Sequence, residues 1–206
     1  MKPLAAIIVL LAGLVAAPSQ AGEVPHEVAG FALGQDIATF RDRLLMDTVL
    51  SLRYQEYLQE VEIAPLTGFK SGLITYGECA HPGQIVRIKL KYTDASRDFY
   101  DALLTRLERR FGKPTNYEGD PFHIVIEWKW SFTDAQGRRI TLHLSHNSRD
   151  EEEKFGNALK LTQVSALDEE RQCFLERQPP EKSGDRERSP SLQSMTEKDW
   201  EVFLPQ

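Results

Sequence analysis

Residues 85–112, IVRIKLKYTDASRDFYDALLTRLERRFG, carry both of the periodicities from which the fold is read. Over Ile85–Tyr92, Val86, Ile88, Leu90 and Tyr92 fall on one side and Arg87, Lys89 and Lys91 on the other. Successive side chains of a strand point to opposite faces, so this is an antiparallel strand with one face buried and one wet. Phe99, Leu103, Leu107 and Phe111 then recur every fourth residue, with Tyr100 and Leu104 beside them. That spacing draws one apolar stripe along an α-helix. Asp94 is the expected N-cap, Gly112 the residue after the last turn, and Pro114 the stop.

Downstream, His123 to Thr133 places Ile124, Ile126, Trp128, Trp130 and Phe132 on one face. A turn at Asp134–Gly137 leads into Arg139 to His146, with Ile140, Leu142 and Leu144 inward. A last strand is expected at Ala158 to Ser165, after the charged loop 149–154. Upstream, Leu73 to Cys79 reads as a strand entered through a turn at 68–72, and Val49 to Ile63 as a single, irregular one. Asp36 caps a helix with Ile37, Phe40, Leu44 and Leu45 on one face. These elements make an α+β domain: a mainly antiparallel sheet of about six strands with two helices on one face. A helix precedes about three strands twice over, which suggests an α-β-β-β duplication.

The first 21 residues read as a signal peptide. Lys2 precedes an uncharged apolar run, LAAIIVLLAGLVAA (4–17), and Ser19 and Ala21 are small residues before a cut after Ala21. The run is shorter than the ~20 residues of a spanning helix, so no stable membrane anchor is expected after cleavage. Residues 22–176 form the domain. From 177 to 206 the chain turns to Pro, Ser, Glu, Arg and Lys, a flexible tail ending in an apolar cluster around Trp200. Cleavage leaves 24 basic against 31 acidic residues, a formal charge of −7, which disfavours nucleic-acid binding. In the periplasm or outside the cell, Cys79 and Cys173 are expected to form a disulfide. Closing so long a loop contributes about 4 kcal/mol on the chain-entropy view.

The opener GFALGQDIATFRDRL, followed by strands, resembles small periplasmic modules of the β-lactamase-inhibitor-protein-like or outer-membrane-assembly-lipoprotein type. The segments GFKSGLITYGEC, IVRIKLKY, WKWSF and HNSRDEEEKFGNALKLT are similar to an uncharacterised family of exported proteins from sulfate-reducing and related bacteria, over most of residues 50–175. The resemblance implies export and an α+β fold, and no functional residues.

The motifs assign no chemistry. His143 and His146 are three apart on a strand and point to opposite faces, so the pair does not chelate one ion. Asp150 to Glu153 lacks the ligand spacing of a calcium loop. No G-x-S-x-G or glycine-rich phosphate loop is present, and His81 next to Pro82 belongs to a turn. Trp128, Trp130 and Phe132 share a face with isoleucines and read as core. No cofactor or metal is expected. With the helices on one face, the other collects Arg87, Lys89, Lys91, Lys129, Arg139 and Lys160, interleaved with Glu127, Thr141, His143 and Thr162. Adjacent cations raise local anion affinity, so this face is the candidate binding surface for a small anion or an acidic protein. The leading expectation is a non-catalytic periplasmic binding or interaction module. The alternative is a periplasmic enzyme whose site is assembled from residues distant in sequence. An envelope-assembly role rests on fold analogy alone.

Overall fold

The strand Ile85–Tyr92 (β6) lies at the middle of the sheet, with the rest arranged about it. The computed structural model describes residues 23–148 and 156–178, together with Thr196. The expected signal peptide, the acidic stretch Asp150 to Glu153 and the cluster around Trp200 lie outside the described residues. A small hairpin, Glu27–Val28 (β1) with Phe31–Ala32 (β2), leads into a 3-10 helix at Ile37–Arg43. Strands Leu44–Leu52 (β3), Gln55–Ile63 (β4) and Phe69–Gly77 (β5) come next, then β6. Helix Arg97–Phe111 (α1) is followed by Asn116–Tyr117 (β7), Val125–Thr133 (β8), Arg139–Asn147 (β9) and Gly156–Gln163 (β10). Helix Val164–Arg177 (α2) leaves β10 directly.

Class and pairing are as expected, α+β with a large antiparallel sheet, but the sheet has eight strands rather than six. Their order is β3-β4-β5-β6-β10-β9-β8-β7, two four-stranded meanders that meet at β6 and β10. The single strand expected over 49–63 is the β3–β4 hairpin. Its register shifts between Leu45 and Leu50 and again at Ser51–Leu52, and a bulge destroys the period of two by which a strand is recognised. The two residues of β7 are too few to leave a pattern. The helix after Asp36 is 3-10 rather than α, and Leu44 already belongs to β3. Asp36 does cap it, accepting from Ala38 N at 2.8 Å. The N-cap of α1 is Ser96, whose hydroxyl accepts from Phe99 N. Asp94 instead accepts from Ser96 N and shapes the turn before it. Gly112 ends α1 at φ 81°, ψ −175°, a region essentially reserved for glycine, and its carbonyl accepts from the Trp130 indole at 2.8 Å.

One face of the sheet carries the main core. Val61, Ile74, Ile88, Leu161, Leu142 and Trp130 run across six consecutive strands as direct cross-strand neighbours. The 3-10 helix covers them with Ile37 and Phe40, and α1 with Tyr100, Leu103, Leu107 and Phe111. Fully buried Asn157 fastens the start of α1 to β10: its amide donates to the carbonyls of Asp94 and Ser96, and its oxygen lies 2.7 Å from His146 Nδ1. Since that amide oxygen only accepts, Nδ1 of His146 carries the proton. Val86 departs from the simple alternation. A register shift between Thr75 and Tyr76 leaves both Ile85 and Val86 buried, and Val86 joins a second cluster with Leu58 and Ala166.

That cluster lies beneath α2, which the sequence reading missed, having continued the strand to Ser165. The helix offers little apolar surface and is held by polar and covalent bonds. The expected disulfide is formed: Cys173 of α2 joins Cys79 with Cα atoms 5.8 Å apart. One turn earlier Glu170 is fully buried, and its carboxyl oxygens accept from the backbone N–H groups of Glu78, Cys79, Ala80 and His81 at 3.2, 2.6, 3.1 and 2.6 Å. Gly77 makes room for it, since a Cβ there would overlap the Glu170 carboxyl. His81 Nε2 adds a 2.7 Å contact to Glu169, and Arg177 donates to the Cys79 carbonyl.

Replacing Glu170 with Ala strands the N–H donors of Cys79, Ala80 and His81, while Glu78 keeps its bond to the Tyr57 carbonyl. The expected cost is about 3 kcal/mol, a fall in thermal midpoint of roughly 6–12 °C for a chain of this size; a change below about 1 °C in calorimetry would refute the role given to this carboxyl. Tyr100 presents the opposite case. Its hydroxyl is buried and finds no hydrogen-bond partner among the described residues, and burial pushes its pKa up. Tyr100→Phe removes the unpaired group, so denaturant titration is expected to show a variant as stable as the parent or about 1 kcal/mol more so.

Candidate functional site

Side chains directly opposite in an antiparallel sheet share a face, so the register determines what the second face holds. One row runs Leu73, Lys89, Lys160, His143, Lys129 across β5, β6, β10, β9 and β8. The next runs Ser71, Lys91, Ala158, Ser145, Glu127 across the same strands. Thr75, Arg87, Thr162, Thr141 and Ser131 form a third, on the side toward α2. All six candidate cations therefore lie on the face turned away from α1.

They do not form one patch. Lys89, Lys91 and Lys160 line a cavity of about 310 Å³, together with Glu127 and His143. Lys129 stands at its rim, 2.8 Å from Glu118 Oε1. Arg87 is half-buried between nearly inaccessible Thr75 and Thr162, where burial lowers its pKa and nearby Glu60 opposes that. Arg139 is drawn to α2, pairing with Asp168 while its backbone N–H donates to Ser165. Helix α2 thus covers one end of a face expected to be open and uses up one of its cations.

The floor of the cavity comes from the second row. Ala158 and Ser145 are small, and they lie between Lys91 on β6 and Glu127 on β8. Large side chains at the two ends and short ones between them leave a hollow with a cationic and a carboxylate end. Burial pushes the Lys91 ammonium down, and the neighbouring charge of Lys70 adds to this.

At the other end His143, 8% exposed, places Nδ1 2.6 Å from Glu127 Oε1 and 3.5 Å from Glu118 Oε2. The hydrogen bond from His143 holds the Glu127 carboxyl below its ordinary 4.5, with Lys160 reinforcing the effect and partial burial opposing it. Lys160 Nζ is 3.6 Å from the same oxygen. An ionised carboxylate only accepts, so Nδ1 of His143 carries a proton and donates it to Glu127.

His143 and His146 do face opposite ways, His146 being tied to Asn157 on the core side. The cross-strand neighbours supply what the H-x-x-H spacing lacked: ligand atoms of Glu118, Glu127 and His143 lie within 4.8 Å of one another. That set has the chemistry of a small divalent-cation site. Lys129 and Lys160 already compensate its two carboxylates, so a metal would have to displace them. The sequence reading missed Glu118 as a member, because only the β7–β8 pairing brings it beside Glu127 and His143. The remaining lining residues, Ser71, Gly72 and Leu73, come from β5.

No family model, no curated protein and no solved structure matches the chain.

Glu127 faces His143, Glu118 and Lys160, and its lowered pKa fixes the sign of a pH effect. A carboxyl more acidic in the folded chain contributes stability above its ordinary pKa and loses it as pH falls through the lowered one. Glu127→Gln is expected to cost about 1 kcal/mol at neutral pH, with the difference from the parent shrinking as pH falls below the ordinary carboxyl value of 4.5. Denaturant midpoints across pH check this; a difference that does not change with pH would remove the ion-pair assignment.

Proposed function

We propose that this protein is an exported binding module that takes a small organic anion into the cavity on the lysine-bearing face of its sheet. One observation carries the reading: three lysines from two adjacent strands border the same 310 Å³ hollow. That volume is at the lower end of the range of roughly 300–1,000 Å³ usual for small-molecule sites. It suits a small anion better than an acidic protein surface, the other partner considered for this face. The signal sequence expected at 1–21 and the disulfide between the loop after β5 and α2 both support a periplasmic or secreted location. The mirrored strand order about β6 and β10 supports descent from a duplicated unit of one helical segment and four strands. The resemblance to exported α+β modules is compatible with both.

A second reading, general acid–base catalysis on the bound anion, is supported by the Glu127–His143 hydrogen bond. A carboxylate that orients an imidazole is the supporting half of many proton-transfer sites. Solution NMR of anions incubated with the protein separates the two, since the binding reading leaves every ligand chemically unchanged.

The binding reading is tested by thermal unfolding of the oxidised protein with glucuronate, glucose 6-phosphate, citrate and inorganic phosphate. A ligand at about 100 times its Kd stabilises the native state by about 2.7 kcal/mol, so at least one anion should raise the midpoint by several degrees. Lys91→Gln combined with Lys160→Gln is expected to abolish that shift. If no anion moves the midpoint at millimolar concentration, the cavity is not an anion site.

A further inference from the structure

The cavity is asymmetric, and the asymmetry specifies more than charge. Lys91 stands at one end of the small-residue floor and Glu127 at the other, three strand spacings away, which is roughly 14 Å between backbones. Lys160 and His143 are directly opposite one another in the adjoining row and border the hollow along its length. A ligand bearing negative charge at both ends would put one of them against Glu127. An anion with an apolar body would bring no donor to Glu127, whose Oε1 already faces His143 Nδ1 at 2.6 Å and Lys160 Nζ at 3.6 Å and whose carboxylate has capacity for a further donor. As an ionised carboxylate, Glu127 accepts through both of its oxygens.

Resting on the anion-binding reading above, we infer that the cavity selects hydroxylated molecules of one-ring size with a single acid group, the chemistry shared by sugar acids and sugar phosphates. The acid group lies among Lys89, Lys91 and Lys160. Ring hydroxyls donate to Glu127. The ring's C–H surface lies over Ala158 and against Leu73, both of which line the cavity. A polysaccharide chain is excluded by volume, and a dicarboxylate by the Glu127 end. Glu127 here is a specificity residue: it favours ligands whose hydroxyls donate to its carboxylate, a charge-assisted bond that an apolar ring does not make.

The test compares three probes by isothermal titration calorimetry on the full oxidised protein: glucuronate, cyclohexanecarboxylate and the dicarboxylic sugar acid galactarate. Glucuronate should bind at least roughly tenfold more tightly than either of the others, the worth of one hydrogen bond to a charged group. Glu127→Gln should narrow the gap to cyclohexanecarboxylate and admit galactarate, whereas Lys91→Gln should weaken all three alike. Glucose 6-phosphate, run beside glucuronate, decides which acid group is preferred. Equal affinity for glucuronate and cyclohexanecarboxylate in the parent protein overturns the hydroxyl selection while leaving anion binding standing, and this comparison needs no variant to fold. Failure of all four probes, with no anion stabilising the fold, overturns the anion reading itself.

Discussion

The antiparallel pairing of Ile85–Tyr92 with Gly156–Gln163 joins the two halves of the molecule, and its register decides the character of both faces of the sheet. Ile88 stands opposite Leu161 and Leu90 opposite Leu159, which carries the core across the junction. The same register sets Lys89 directly opposite Lys160 on the other face. Strands have a side-chain period of two, so a slip of one residue would turn the lysines into the core and the leucines into water. Burial of four large aliphatic side chains, each contributing about 1.5–3 kcal/mol, outweighs the repulsion of two flexible ammonium groups. The opposed lysines are therefore held in place by the apolar pattern behind them.

Helix α2 obeys a different logic. With few apolar residues to bury, it is fixed by the Cys79–Cys173 bond and by Glu170 in the ring of amides from residues 78–81. Those amides belong to the loop that follows β5, so the loop and the helix order one another. The helix shields the Arg87 end of the lysine face and takes Arg139 out of play through Asp168. What stays accessible is the part of the face where the floor residues are small.

These contrasts explain what could be read from the sequence. Alternation revealed β6, β8 and β9, and the four-residue spacing revealed α1, because in each the buried face is apolar and the pattern uninterrupted. The β3–β4 hairpin was obscured by its register shifts, and α2 because a disulfide and a buried carboxyl replace the apolar stripe by which helices are recognised. Alternation alone puts all six cations on one face, as the strand register does, whereas helix sidedness does not leave that face open, since α2 covers one end of it. Their division into a cavity trio, a rim lysine and two residues committed elsewhere depends on cross-strand neighbours that alternation does not specify. Glu118 shows this most clearly: a two-residue strand sets it against Glu127 and His143.

The local charge around the cavity also follows from strand register rather than from composition. The chain as a whole is acidic, at −6, yet three ammonium groups and one carboxyl line this hollow. Two unit charges about 8 Å apart at an effective dielectric of about 20 repel by about 2 kcal/mol, so cations gathered in this way weaken the fold unless an anion lies among them. Lys160 obtains part of that compensation from Glu127, and Glu127 in turn is held ionised by His143. The carboxylate thus has two roles that pull in opposite directions: it relieves the lysines in the empty cavity and competes with an incoming anion for them. A ligand that brings both an acid group and hydroxyl donors removes this conflict, because it compensates the lysines and gives Glu127 new partners in the same binding event.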